Sequence, residues 1–382
     1  MTALLRSATR MIRGHSGKLL LAGLLGIAGH NRRLWRRDKA LADRIRAEHP
    51  TLPTLDRTPR VSVLVAAWNE RDRIDAHLRS FAALRYPNIE LILVAGGNDG
   101  TLEQARRYTS DRVIVLEQQP GEGKQRALAK GFERAGGEIV YLTDADCLYD
   151  DQALTRLLAP LINEGEHATT GSSQPLPAQI HKWLPRYIWA ADLVASAHSG
   201  PYSGGLLGRN AALTRHAIDK SGGLDFTAPT GTDYHLARRL IASGTQIRYV
   251  GTSAVASEYP ETIRSYWQKQ ARWMRNLLLY GGQYNAYHQV WDTIRSATIG
   301  AVMLAAPAAF RRGGALVILP WLLLLAQSVA AKLRYLLFAE RLHGHRGSWT
   351  DKLFLLPITL VEFAIWVTPV IQALRKKNRY RW

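Results

Sequence analysis

Asp144-Ala-Asp146 closes an apolar run, Glu138–Thr143, and places two hard carboxylates two residues apart where a strand would end. Such a pair can hold a divalent cation while leaving coordination sites open for phosphate oxygens. A solvated strand-end turn uses the same residues, so the pair gains weight only from its surroundings. Two further polar turns, Ala66–Glu70 and Gly96–Thr101, also follow apolar runs. Two other chemistries are excluded. Gly121-Glu-Gly-Lys124 resembles part of a phosphate loop, but Gln118 and Gln125 stand where Walker A needs Gly and Ser/Thr. The 12 histidines are scattered, and no His/Cys group has zinc spacing.

The elements that must position these turns are short and alternate. Val61–Ala66 is a β-branched run of the kind buried in a parallel sheet. Asp72–Leu84 has helical spacing, with Ile74, Leu78, Phe81 and Leu84 on one face. Ile89–Ala95, Arg112–Leu116 and Glu138–Thr143 read as further strands, and Thr101–Tyr108 and Lys124–Ala135 as helices. Repeated strand–turn–helix units imply a mostly parallel α/β sheet, whose ligands bind beyond the carboxyl ends of the strands. All three polar turns fall on that edge.

Charge separates this middle region from the chain ends. Residues 1–60 carry 13 Lys/Arg and 4 Asp/Glu, a balance of +9, and residues 261–382 carry 17 and 5, a balance of +12. The 200 residues between them have 20 and 22, a balance of −2. A nucleic-acid enzyme concentrates basic charge on the domain that grips phosphates. Here the excess flanks apolar stretches, which implies membrane attachment and an anionic membrane surface as partner, with no nucleic acid. The single cysteine, Cys147, excludes a disulfide framework and points to a reducing compartment.

Three apolar stretches lie in the C-terminal third: Ser296–Phe310, Ala315–Ala331 and Leu353–Leu374. The last is long enough to cross a bilayer and precedes Arg375, Lys376, Lys377, Arg379 and Arg381, a cytoplasmic anchor under the positive-inside rule. Ser296–Phe310 is short and contains Pro307, which leaves it as a span or a re-entrant piece. Glu362 is either a functional intramembrane acid or a bundle-facing carboxylate paired with another helix. Leu19–Gly29, between Arg6, Arg10, Arg13 and Lys18 on one side and Arg32, Arg33, Arg36 and Arg37 on the other, spans only about 16 Å as a helix. It reads as a short or interfacial anchor. Tyr259–Tyr280 mixes Ile263, Trp267, Met274, Leu277 and Leu278 with Arg264, Lys269, Arg272 and Arg275, the pattern of a basic interfacial helix.

The ordered series Val61–Glu70, Gly96–Thr101, Gly-Lys-Gln-Arg-Ala-Leu128 and Thr-Asp-Ala-Asp146 resembles the family 2 glycosyltransferases. The likeness continues through Leu-Leu-Gly-Arg-Asn210, Gly-Gly-Leu-Asp225, Thr-Asp-Tyr-His235 and Ala-Arg-Trp273, and so covers about residues 60–275. It implies a GT-A catalytic domain, Rossmann-like with a mostly parallel sheet, that transfers a sugar from a nucleotide-sugar with inversion. On the resemblance, Ala66, Trp68, Glu70 and Asp99 line the nucleoside pocket and Lys124 stands near the nucleotide. Asp144 and Asp146 take Mg²⁺ or Mn²⁺ and the diphosphate, Asp233 is the catalytic base, and Arg272 and Trp273 lie at the membrane-side lip. Three positions depart from the family pattern: Ala95-Gly96 replaces an acidic pair, Thr232 an acid before the base, and Lys269 a glutamine.

The organisation expected is a basic N-terminal segment with a short anchor (1–57), a GT-A domain (58–258), interfacial helices (259–290) and a transmembrane region (291–382). The expected activity is transfer from a UDP-sugar to a hydroxyl of a lipid or lipid-linked acceptor. The expected location is the inner or plasma membrane, with the catalytic domain and C-terminus cytoplasmic. A processive polysaccharide synthase is the alternative, although its pore needs about six or more spans. An inactive sugar-binding scaffold is disfavoured by the presence of Asp144, Asp146 and Asp233 together.

Overall fold

A computed structural model describes residues 2–48, 51–197, 200–228, 230–344 and 347–374. The chain divides into two units: Ala47–Tyr259 forms one, and Met1–Arg46 joins the chain from Pro260 onward in the other.

The first unit is built on an eight-stranded sheet: β1 Val61–Trp68, β2 Ile89–Gly96, β3 Val113–Glu117, β4 Ile139–Leu142, β5 Cys147–Leu148, β6 Ala168–Pro175, β7 Ala211–Thr214 and β8 Arg248–Ser257. Their order is β3-β2-β1-β4-β7-β6-β8-β5. β3, β2, β1 and β4 are parallel, with Val61 opposite both Ile89 and Ile139. β-Branched and leucine side chains bury both faces of these strands, and every residue of β2 is buried. The helix Arg71–Ala82 turns Ile74, His77, Leu78 and Phe81 inward at helical spacing. The second half of the sheet changes sense: β7 runs antiparallel to β4 and β6, and β5 antiparallel to β8.

β6, Ala-Thr-Thr-Gly-Ser-Ser-Gln-Pro, has little apolar content but is almost wholly buried. Its hydroxyls make that possible. Thr169 Oγ1 donates to the Leu157 carbonyl at 3.0 Å, and Ser172 Oγ to the Ser253 carbonyl at 3.0 Å. Hydroxyls with such partners do not carry the full desolvation cost of a bare polar group.

The second unit is helical. Leu19–Gly29 lies within one continuous helix, Thr2–Glu48, which holds no proline and accommodates Gly23, Gly26 and Gly29 in its interior. The segment Ser296–Phe310 belongs to a helical run that starts nine residues earlier, at Tyr287, and Pro307 is taken up in a short 3₁₀ turn rather than ending the run. Among the described residues, three helical stretches are long and apolar enough to cross a membrane: Tyr287–Gly313, Ala315–Leu342 and Trp349–Leu374, of 27, 28 and 26 residues. The basic block Arg375–Arg381 lies outside the described residues.

Two ion pairs lie buried inside this unit. Lys332 meets Glu362 at 2.9 Å, and Tyr266 donates to the other Glu362 oxygen at 2.7 Å. Arg334 meets Asp38 at 2.5 Å. Glu362 is therefore a bundle-facing carboxylate tied to neighbouring helices. Arg272 and Trp273 stand exposed on the helix Ile263–Tyr280, whose buried residues are Tyr266, Ala271, Arg275 and Asn276.

Candidate active site

The carboxyl ends of β1, β2 and β4 hold the polar turns, and hydrogen bonds join the first two. Asn69, at φ 59°, donates its N–H to the Gly96 carbonyl at 3.1 Å, and its Oδ1 accepts from Asn98 N–H at 2.9 Å. Glu70 N–H donates to Thr101 Oγ1 at 2.7 Å. Ala66 lies half-buried on β1, and Trp68 ends that strand with its ring over Gly96. A Cβ at position 96 would come within 2.8 Å of that ring and 2.5 Å of the Gln118 carbonyl, so a side chain there would displace Trp68. This is the position where Ala95-Gly96 departs from the family's acidic pair.

Asp99 is engaged locally. One oxygen accepts from Thr101 N–H at 2.9 Å and Thr101 Oγ1 at 2.6 Å, and the other from Arg71 N–H at 3.1 Å. Burial opposes its charge, but these donors outweigh burial and hold its pKa below the usual aspartate value. Glu70 differs. Its burial, reinforced by Asp146 and Glu258, raises its pKa despite Arg73 at 3.1 Å. Arg73 also pairs with Glu258 at 2.5 Å.

Asp144 and Asp146 emerge from β4 and face different electrostatics. Lys124, in the first turn of the helix Gly123–Arg134, forms an ion pair with Asp144. Burial would raise the Asp144 pKa, but Lys124 and Arg209 more than offset it and leave the carboxyl lowered. Asp146 is raised, first by burial and then by the like charge of Asp144. The Lys124 ammonium, disfavoured by burial, is held charged by Asp144, then Asp233, then Asp146. Asp233 thus belongs to the same electrostatic cluster. It is the second residue of the helix Thr232–Ala242, and the N-cap position is Gly231. Gly208 backs it closely: a Cβ there would lie 3.0 Å from the Asp233 Cβ.

Among the described residues no three His, Cys, Asp or Glu side chains close on one point as a protein-only metal cage would. Asp144 and Asp146 are an open, two-carboxylate donor set, and Asp146 carries negative charge that its surroundings disfavour. That set fits a hard divalent cation completed by phosphate oxygens and water.

The model of the family described as glycosyltransferase like family 2 matches residues 59–276, more than half of the chain. The chain belongs to this family. Among relatives, the chain is 29% identical over 241 residues to a probable glycosyltransferase, YdaM, of Bacillus subtilis, covering 59% of this chain and 56% of that one. It is 27% identical over 256 residues to a beta-monoglucosyldiacylglycerol synthase of Trichormus variabilis, covering 63% and 53%. It is 24% identical over 251 residues to a poly-beta-1,6-N-acetyl-D-glucosamine synthase of Staphylococcus epidermidis, covering 64% and 60%. The chain therefore spans between half and three fifths of the length of these relatives. In fold it is similar to a mannosyltransferase of Pyrobaculum calidifontis solved with GDP-Man and Mn²⁺, at a TM-score of 0.52 and 19% identity, covering 94% of this chain and 99% of that one. The architecture of the sheet unit is GT-A.

The candidate site also contains residues that sequence reasoning left without a role. Arg209 donates to Ser257 Oγ at 2.7 Å, its charge bears on both Asp144 and Asp146, and its own pKa is raised, with burial opposed by the anionic groups around it. It lies in the Leu-Leu-Gly-Arg-Asn210 run, which was the available signal. His77 and the Arg73–Glu258 pair had none.

Proposed function

We propose that this glycosyltransferase moves a single sugar from a nucleotide-sugar, with a UDP-sugar as the expected donor, to a hydroxyl of a lipid or lipid-linked acceptor, inverting the anomeric centre. The observation that carries this reading is the convergence of Lys124, Asp144, Asp146 and Asp233 in one electrostatic cluster at the carboxyl edge of the sheet.

Ala66, Trp68, Glu70 and Asp99 are assigned to the nucleoside pocket, with the Trp68 ring offering a face for the base. Asp144 and Asp146 would hold Mg²⁺ or Mn²⁺, which when bound supplies positive charge against the departing diphosphate. Lys124, paired with Asp144 in the metal-free chain, would add its own charge to the phosphates. Asp233 accepts the proton of the acceptor hydroxyl, which is too weak a nucleophile at neutral pH without a base. Helical placement fixes Asp233 more firmly than a loop would.

The acceptor reading is supported by three helices able to span a bilayer and by similarity to a glucosyldiacylglycerol synthase. Residues 1–57, 58–258, 259–290 and 291–382 are assigned as anchor, catalytic domain, interfacial helices and membrane region. Arg272 and Trp273 are placed at the acceptor side, and the basic flanks are placed against anionic cytoplasmic lipid of the inner or plasma membrane. Similarity to a poly-N-acetylglucosamine synthase supports a second, processive reading.

Purified full-length protein, a panel of nucleotide-sugars, Mn²⁺ and total membrane lipids, with products read by mass spectrometry, test both readings. Lipids heavier by one hexose are expected. A ladder of polymer masses would favour the processive reading, and no transfer from any donor would overturn both.

A further inference from the structure

His77 faces the core of the sheet unit from the helix Arg71–Ala82 and is 0% exposed. Its neighbours on that face are Ile74, Leu78 and Phe81, and a leucine at position 77 would serve packing equally well. The imidazole instead carries a burial cost. Its Nε2 is buried without a hydrogen-bond partner, and its ring rests edge-on to Tyr149 at 5.2 Å. Desolvation lowers its pKa to about 4, so the ring is neutral at physiological pH.

What the imidazole adds is its other nitrogen. Nδ1 lies 2.8 Å from the carbonyl oxygen of Cys147. A carbonyl only accepts, so Nδ1 carries the hydrogen. Cys147 is the residue after Asp146. Its N–H closes the turn onto the Asp144 carbonyl at 3.1 Å, and it pairs with Ser257 of β8. The turn bearing both carboxylates is thus held at its C-terminal end from two sides, by β8 and by His77.

We infer that His77 is a positioning residue for the cation-binding turn: its Nδ1–H fixes the Cys147 carbonyl and thereby the separation and aim of the Asp144 and Asp146 carboxylates. The inference rests on the assignment of those two residues as cation ligands. His77 is fully buried and is assigned no direct contact with substrate or cation. It is an outer-shell group acting through one peptide bond.

The test crosses stability against cation binding in full-length protein held in detergent. Mn²⁺ is titrated in the presence of excess UDP or GDP and free Mn²⁺ is read by its paramagnetic resonance signal, while thermal melting is followed separately. His77→Leu fills the space without a donor. It should melt within a few degrees of the parent and bind Mn²⁺ about tenfold more weakly. His77→Asn keeps an N–H at the Nδ1 position but leaves a void. It should melt lower and bind Mn²⁺ within about twofold of the parent. A purely structural histidine predicts the reverse order, with affinity following melting temperature. A Leu variant with parental Mn²⁺ affinity overturns the inference while leaving Asp144 and Asp146 as ligands. A parent that binds no Mn²⁺ overturns both.

Discussion

Lys124 and Lys332 are each paired with a carboxylate, and the pairs differ in how completely each charge is satisfied. Lys124 and Asp144 sit at the edge of the sheet, with about a third of each side chain exposed, beside a second acid, Asp146, whose ionised form is disfavoured. Lys332 and Glu362 are less than a tenth exposed. Both Glu362 oxygens have partners, Lys332 on one and Tyr266 on the other, and the ammonium lies 5.7 Å from the Trp366 ring centroid. The helical pair is closed, and the sheet pair is left open on one side. An open charge cluster can exchange partners with an incoming ion or phosphate. A closed one serves to register helices and costs a great deal to break.

If that contrast holds, damage at the two pairs should separate cleanly between activity and stability. The largest effect belongs to the open cluster. Asp144→Asn and Asp146→Asn should each lower transfer on the order of 10³-fold, since a cation site supplies several kcal/mol to charge development. Circular dichroism should stay parental, and near-normal turnover of Asp146→Asn in chelator would remove the cation from the account.

Asp233→Asn comes next. Loss of a general base costs about 10²–10⁴-fold in rate. Because Gly231, not Asp233, occupies the N-cap, the helix keeps its start, and melting should stay within a few degrees of the parent. Nucleotide affinity, measured by calorimetry, should also be retained. An Asn variant at half the parental rate would leave the base unidentified.

The closed pair should answer in stability. Glu362→Ala leaves Lys332 buried without its carboxylate, and breaking such a pair costs about 3 kcal/mol or more. Replacing both partners with apolar residues, Lys332→Met with Glu362→Leu, should recover most of the loss. Nucleotide-sugar hydrolysis per folded molecule should be unchanged in either variant. A single variant that melts like the parent would show that the pair contributes nothing to stability.

The same contrast explains what could be read from the chain alone. β1, β2 and β4 are runs of Val, Ile and Leu that have few alternatives to a buried parallel sheet, and Asp144 and Asp146 follow one of them directly. β6 and β8 were not legible. Thr169 and Ser172 are polar residues whose burial depends on carbonyls more than ten residues away. Arg209 and His77 escaped for a related reason: their partners, Ser257 and Cys147, are 48 and 70 residues distant. Ser296–Phe310 reads as short because the more polar first half of its helix, Tyr287–Arg295, dilutes the apolar signal.

The smallest effect isolates the stored repulsion itself. Asp146 has a raised pKa in the folded chain, from burial and from Asp144. The folded state therefore holds that proton to higher pH than the unfolded state does. Where the unfolded state binds fewer protons, stability falls as pH rises. Hence the metal-free protein is most favoured, at this residue, when Asp146 is protonated, and it loses that contribution as pH rises through the folded pKa. At neutral pH the ionised carboxylate is a net cost. Asp146→Asn removes the charge, so the metal-free variant should melt above the parent at neutral pH, by about 2–4 °C for each kcal/mol gained in a domain of this size. The gap should close at acid pH, where Asp146 is neutral in both states. Added Mn²⁺ with nucleoside diphosphate should reverse the order, raising the parent and not the variant. An Asn variant that melts below the parent without metal would mean that Asp146 is satisfied within the fold, and the sheet cluster would then be as closed as the helical one.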